Sequence, residues 1–153
     1  MALALREKYF DARKLQLEIE SIIGDQKKIY AAATDLLDDF PDVVESYDFA
    51  VGYLLKSRVP VAQILELYSK SSPSLFVSHK FGRLLARLNL MAERHDEAAE
   101  ILHAYSTADL RAEEVEELTY LKAMSEVARG RRDEGIRILS DYLRDIPDRP
   151  YLV

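Results

Sequence analysis

Apolar residues recur along this chain at alternating steps of three and four, the period of helices that pack along one face, and the stretches between them are polar turns. In the first stretch Leu5, Tyr9, Ala12, Ile19 and Ile23 keep that rhythm, with Phe10, Leu15 and Ile22 widening the apolar face. They predict a helix over about residues 3 to 22. Gly24 ends it, and a partner helix is predicted over about 25 to 39, stopped by Pro41. The same reading gives helices over about 42 to 56, 60 to 70, 74 to 92, 95 to 106, 111 to 128 and 131 to 145. Pro60 opens the fourth at a first-turn position, where its missing N–H costs little, and Ser72-Pro73-Ser74 separates the fourth from the fifth. Short connections make successive helices antiparallel neighbours.

The helices repeat as pairs. Ile-Leu-x-x-Tyr stands at Ile64, Leu65 and Tyr68, at Ile101, Leu102 and Tyr105, and at Ile138, Leu139 and Tyr142, each copy 37 residues after the last. The same step lays Arg94-x-Asp96-Glu97 on Arg131-x-Asp133-Glu134, Leu84 on Leu121, Ala86 on Ala123 and Ala98 on Gly135. Asp39-Phe40-Pro41-Asp42 is echoed by Asp145-Ile146-Pro147-Asp148, and a glycine, Gly24 or Gly130, lies 17 residues before each proline. A period of this length is one helix-turn-helix unit stacked on its neighbours. The fold class expected is all-α, an α-solenoid of about four antiparallel hairpins in a single domain, with units near 3–41, 42–73, 74–110 and 111–148. Each echoed Tyr is expected to pack between second helices with its hydroxyl at the surface.

These residues resemble the tetratricopeptide repeat family. The third unit has Leu85-Ala86 where the family has Leu-Gly, and Ala98-x-x-x-Leu102 where it has Ala-x-x-x-Phe; the fourth matches through Gly130, Gly135-x-x-x-Leu139 and Pro147. The chain is a divergent match: it has no Trp, and Asn89 or Glu126 stands at the signature Tyr. The resemblance implies a concave groove lined by the first helix of each pair. Lys80, Arg83 and Arg87 recur at i, i+3 and i+7 on one such helix. In the family register this cationic stripe would meet a peptide's terminal carboxylate or acidic side chains. Tyr47 or Tyr53 would flank it on one side, Tyr120 with Glu117 on the other. The alternative is a solvated face paired with Glu45, Asp48 or Glu117 across the groove.

Composition narrows the function classes. Of 153 residues 48% are hydrophobic, enough for a substantial core, and only 5 Gly and 5 Pro interrupt the helices. A net charge of −6 argues against nucleic acid and anionic lipid as partners. No cysteine is present, so thiolate chemistry and disulfides are excluded. Arg6-Glu7-Lys8 interrupts the apolar start too early for a signal peptide, and no stretch reaches the length of a membrane span. A cytoplasmic location is expected, or a periplasmic one if these residues belong to a longer exported protein. His79, His95 and His103 have no ligand-set spacing, and no phosphate loop or nucleophile elbow occurs, so no metal, cofactor or enzymatic activity is expected. The function expected is a protein-interaction scaffold that binds a peptide segment of a partner, or a small acidic secretion or assembly chaperone for a dedicated client. The apolar face of the first helix, and Tyr151 and Leu152 at the other end, imply a longer chain or a homo-oligomer, unless Arg137, Asp141 and Arg144 supply a polar outer face to the last helix.

Overall fold

The computed structural model describes residues 2–106 and 110–145. Among them the regular structure is helical throughout: α1 Ala2–Ile23, α2 Gln26–Asp39, α3 Val44–Lys56, α4 Val61–Tyr68, a 3-10 turn Pro73–Val77, α5 His79–Met91, α6 His95–His103, α7 Ala112–Ala128 and α8 Arg132–Arg144. The expectations resting on Ile146 to Asp148 and on Pro150 to Val153 lie outside the described residues. The chain forms two compact units, residues 1–84 and 85–153, and the division falls within α5.

Each odd-numbered helix is followed by a residue in the left-handed region. Gly24, Arg58, Glu93 and Gly130 have left-handed backbones, with φ of 82°, 59°, 59° and 81°. After the last three, the next N–H reaches back five residues: Val59 to the Leu54 carbonyl at 3.0 Å, Arg94 to Asn89 at 2.9 Å and Arg131 to Glu126 at 2.8 Å. This Schellman closure satisfies carbonyls that a helix end leaves open and turns the chain back. Two of the four turns use no glycine, so the sequence reading located only the outer pair.

In the first unit, α2 is capped by Asp25, whose carboxylate accepts the N–H groups of Lys27 and Lys28 at 3.0 and 3.4 Å. Its face of Ile29, Ala32, Ala33, Leu36 and Leu37 is buried. Tyr47 of α3, Tyr68 of α4 and Phe81 of α5 form an aromatic triangle with ring centroids 5.1 to 5.2 Å apart. The Tyr68 hydroxyl is enclosed, not at the surface as expected. The helix predicted over 74–92 is broken: Pro73 starts a 3-10 turn, Ser78 is extended, and its Oγ accepts the Phe81 N–H at 3.4 Å, so α5 starts at His79.

Helix α1 carries apolar residues on two opposite faces. The buried one is centred on Leu17, with Phe10 set edge-on against Phe40 at 5.0 Å. The stripe read from the sequence points the other way: Leu5, Ile19, Ile22 and Ile23 are exposed, Ile22 to 84%.

In the second unit Ala86, Leu102, Leu118 and Leu121 form a core against which Leu90, Ile101, Tyr105 and Leu110 pack. Helix α8 lies on α7 at Gly135, where an added Cβ would stand 2.8 Å from the Ala123 carbonyl oxygen and 2.6 Å from Val127 Cγ2. The Ile-Leu-x-x-Tyr positions are not equally buried: Ile64, Leu65 and Tyr68 are inside, Leu102 is inside, and Leu139 is exposed.

Candidate functional site

The cations of the predicted stripe lie in different surroundings. Lys80 Nζ lies 2.8 Å from Asp48 of α3, and Arg87 Nη1 lies 3.5 Å from Glu117 of α7. Arg83, between them on α5, is only 7% exposed. Lys80 and Arg87 are exposed and each lies beside a carboxylate that the sequence had offered as an alternative, while Arg83 is buried, so the three do not form one continuous exposed row. Tyr47 is also corrected. It is fully enclosed by Tyr68 and Phe81, and burial, helped by the charges of Asp38 and Asp42, pushes its phenol up to about 12. It is a core residue and cannot line a groove. Tyr120 of α7 is exposed and Glu117 half-buried, both in the second unit.

Tyr53 leads to a different site. Its ring lies 4.9 Å from that of Phe49, and burial first, with the nearby Glu18 charge of α1 second, raises the pKa of its phenol. Both rings face a cleft of about 470 Å³ lined by Lys14 of α1 and by Glu45, Asp48, Phe49, Gly52, Tyr53 and Lys56 of α3.

The geometry follows from helix periodicity. Glu45, Phe49, Gly52 and Lys56 recur at i, i+4, i+7 and i+11, one face of α3, while Tyr47, Ala50, Val51 and Leu54 on other faces are buried. Gly52 keeps the middle of that face open: a Cβ built there would meet nothing within 4 Å. Lys14 Nζ sits 5.1 Å from the Phe49 centroid and 5.4 Å from that of Phe10, cation–π distances that hold its ammonium over the aromatic floor. Glu45 lies in the first turn of α3 and Lys56 in the last, so charges of opposite sign mark the two ends. They also complement the helix dipole. Of this set the sequence reading offered Tyr53 as a groove residue and Glu45 and Asp48 only as carboxylates facing the stripe; the i, i+4, i+7, i+11 spacing of Glu45, Phe49, Gly52 and Lys56 was the signal for a shared face of α3.

The second unit has a polar recess of about 440 Å³ lined by Glu93, Arg94, His95, Asp96, Glu97, Arg129 and Arg131. Its main charges are satisfied internally, Arg129 Nε lying 2.6 Å from Asp96 and Arg131 Nε 2.6 Å from Glu126. His103 places Nδ1 2.7 Å from the Ala99 carbonyl oxygen, to which it donates. Among the described residues no group of three or more His, Asp or Glu is placed to hold a metal ion, and no helix is long and apolar enough to cross a membrane.

Comparison with family models, with curated proteins and with solved structures finds no match to this chain.

Proposed function

We propose that the chain is an interaction module built from tetratricopeptide-like helical hairpins in solenoid order, and that the cleft between α1 and α3 binds an extended peptide segment of a partner protein. The α1–α3 cleft carries this reading. It has an aromatic floor, a gap left by Gly52, and a charged group of opposite sign at each end. The recurrence of one left-handed turn at Gly24, Arg58, Glu93 and Gly130 supports the repeat architecture.

The cleft also indicates what kind of segment fits. Eleven residues of helix separate Glu45 from Lys56, about 16 Å at 1.5 Å per residue, which an extended peptide spans in about five residues. A basic residue would face Glu45, a carboxylate would face Lys56, and an aliphatic or aromatic side chain between them would fill the space above Gly52. The carboxylate expected of the partner is thus met by Lys56 and not by the Lys80, Arg83 and Arg87 stripe. None of these groups is arranged as a nucleophile and base, so binding, not catalysis, is the activity proposed.

Selection of a displayed peptide library on the intact chain tests it. Peptides enriched on the wild type should lose at least about tenfold in affinity for Gly52→Trp, whose indole fills the cleft, and should be weakened by Lys56→Glu. Circular dichroism of both variants must match the wild type. Enrichment that survives Gly52→Trp unchanged would refute the assignment.

A further inference from the structure

The floor of the α1–α3 cleft already holds a cation, and that cation is the protein's own. Lys14 Nζ lies 5.1 Å from the Phe49 centroid and 5.4 Å from the Phe10 centroid, so rings from both helices bracket one ammonium. Among the described residues Lys14 is paired with no carboxylate, although it is half-buried and acidic side chains stand near it. Glu18 lies one turn further along α1, within reach on the same helix face. Glu45 and Asp48 line the cleft with Phe49, and of these Asp48 is paired with Lys80 at 2.8 Å. Glu45 is exposed in the first turn of α3 and, among the described residues, without an ion pair.

The register of the two helices assembles these groups. Lys14 of α1 meets Phe49 of α3, an offset of 35 residues, and the charge of Glu18 acts on Tyr53 at the same offset. That offset sets Phe10 level with Glu45. Two aromatic faces beside an unmatched carboxylate make a receptor for a cation, and Lys14 occupies it without using Glu45.

Resting on the reading of the cleft as a peptide site, in which a basic residue faces Glu45, we infer that this is a guanidinium site, that Lys14 is its tethered occupant, and that an arginine side chain of the peptide displaces Lys14 on binding. Arginine suits the site better than lysine. A guanidinium is planar and stacks on a ring, it is more weakly hydrated than an ammonium, and its forked N–H groups can reach Glu45 while its face stays on Phe49. The exchange adds a charge-assisted hydrogen bond to Glu45 that Lys14 does not make. Lys14, once released, pairs with Glu18 one turn along its own helix, which keeps the two cations apart. Being covalently attached, Lys14 competes as an intramolecular ligand and sets a threshold that an arriving side chain must exceed. A neutral side chain gains nothing at Glu45 and leaves Lys14 in place.

The probe is Nα-acetylarginine amide, titrated into the isotopically labelled intact chain while the ring resonances of Phe10 and Phe49 and the terminal methylene of Lys14 are followed by nuclear magnetic resonance. Saturable shifts of all three are expected at about millimolar concentration, and none with Nα-acetylnorleucine amide. Lys14→Met keeps a flexible apolar stem on the rings and removes the competing charge, so it should bind the arginine probe at least about threefold more tightly. Glu45→Gln should bind it at least about threefold more weakly. Circular dichroism of both variants must match the wild type. An arginine probe that moves neither ring at concentrations up to ~50 mM would overturn the inference, as would unchanged or weaker binding to Lys14→Met. So would preferential binding of Nα-acetylglutamate amide that Lys14→Met abolishes, since Lys14 would then be a receptor for anions. The peptide reading fails separately: arginine binding as described, with no library peptide sensitive to Gly52→Trp, would keep the guanidinium site and remove the peptide. Peptides that are sensitive to Gly52→Trp but indifferent to arginine content and to Lys14→Met would keep the peptide cleft and remove the guanidinium site.

Discussion

The Nε of Arg131 lies 2.6 Å from the carboxylate of Glu126, a side chain buried to 2% exposure on α7. Arg129 meets the same carboxylate at 3.2 Å and reaches Asp96 at 2.6 Å. The pair also shares a backbone bond, Arg131 N–H to Glu126 carbonyl, so the turn that redirects the chain into α8 delivers the cation to the buried anion. Breaking a buried pair by removing one partner leaves an uncompensated charge, whereas removing both can be close to neutral. Arg131 is half-exposed and Arg129 remains in place, so Arg131→Met should cost about 1–2 kcal/mol, less than a fully enclosed pair would. Glu126→Leu combined with Arg131→Met should recover most of that loss. A double-mutant cycle by urea denaturation gives the coupling; equal losses in the single and double variants would contradict it.

The left-handed turns make a second prediction, of opposite sign at different sites. A side chain costs roughly 1–2 kcal/mol in the left-handed region, while glycine adds about 0.4–1 kcal/mol of unfolded-chain entropy. Glu93→Gly and Arg58→Gly should therefore stabilise by about 0.5–1 kcal/mol, and Gly130→Ala should destabilise by about 1 kcal/mol. Thermal denaturation midpoints are the readout.

Two helical glycines should respond to alanine in opposite ways. At Gly135 the new Cβ would press on the Ala123 carbonyl and on Val127, and the backbone of α7 cannot yield as a side chain would. A loss of about 1–3 kcal/mol is expected. At Gly52 the Cβ enters open space, and Gly52→Ala should stabilise by about 0.5–1 kcal/mol through helix propensity alone. Chemical denaturation of both variants separates close packing from an open cleft.

How far the sequence spoke depends on what kind of signal each residue gives. Helix boundaries were legible because Gly24, Pro41, Gly130 and the apolar period act locally. The small residues Ala86, Ala98 and Gly135, aligned by the repeat, are indeed buried. Arg58 and Glu93 were not legible as turn residues, because nothing in an Arg or Glu advertises a positive φ; the surrounding hairpin imposes it. Helix α1 misled because it has two apolar faces, and period alone cannot say which one a neighbour covers. Tyr47 misled for a related reason: an aromatic residue at helical spacing reads the same whether it faces a groove or a core. The Lys80, Arg83 and Arg87 row was visible, whereas the closeness of Lys80 to Asp48 and of Arg87 to Glu117 and the burial of Arg83 depend on tertiary placement.

The aromatic triangle of the first unit predicts alkaline sensitivity. Burial, then the charges of Asp38 and Asp42, raises the Tyr47 phenol to about 12, and burial raises Tyr68 as well, with Tyr47 and Asp48 contributing. In the unfolded chain tyrosines ionise near 10, so above that pH the unfolded state gives up protons that the folded state retains. The stability they lend is fully present below about pH 10 and is lost as pH rises from there through about 12. Far-UV circular dichroism should show cooperative unfolding in that window. Tyr47→Phe keeps the ring contacts with Tyr68 and Phe81 and removes the ionisable group, forfeiting only a long hydroxyl contact of 3.5 Å to the Pro41 carbonyl. Its alkaline midpoint should rise by roughly half a pH unit, and that of Tyr47→Phe with Tyr68→Phe should rise further. Tyr120→Phe, at an exposed position, serves as the control and should leave the midpoint where it is. A midpoint unmoved by the double replacement would mean that the triangle opens before its phenols ionise.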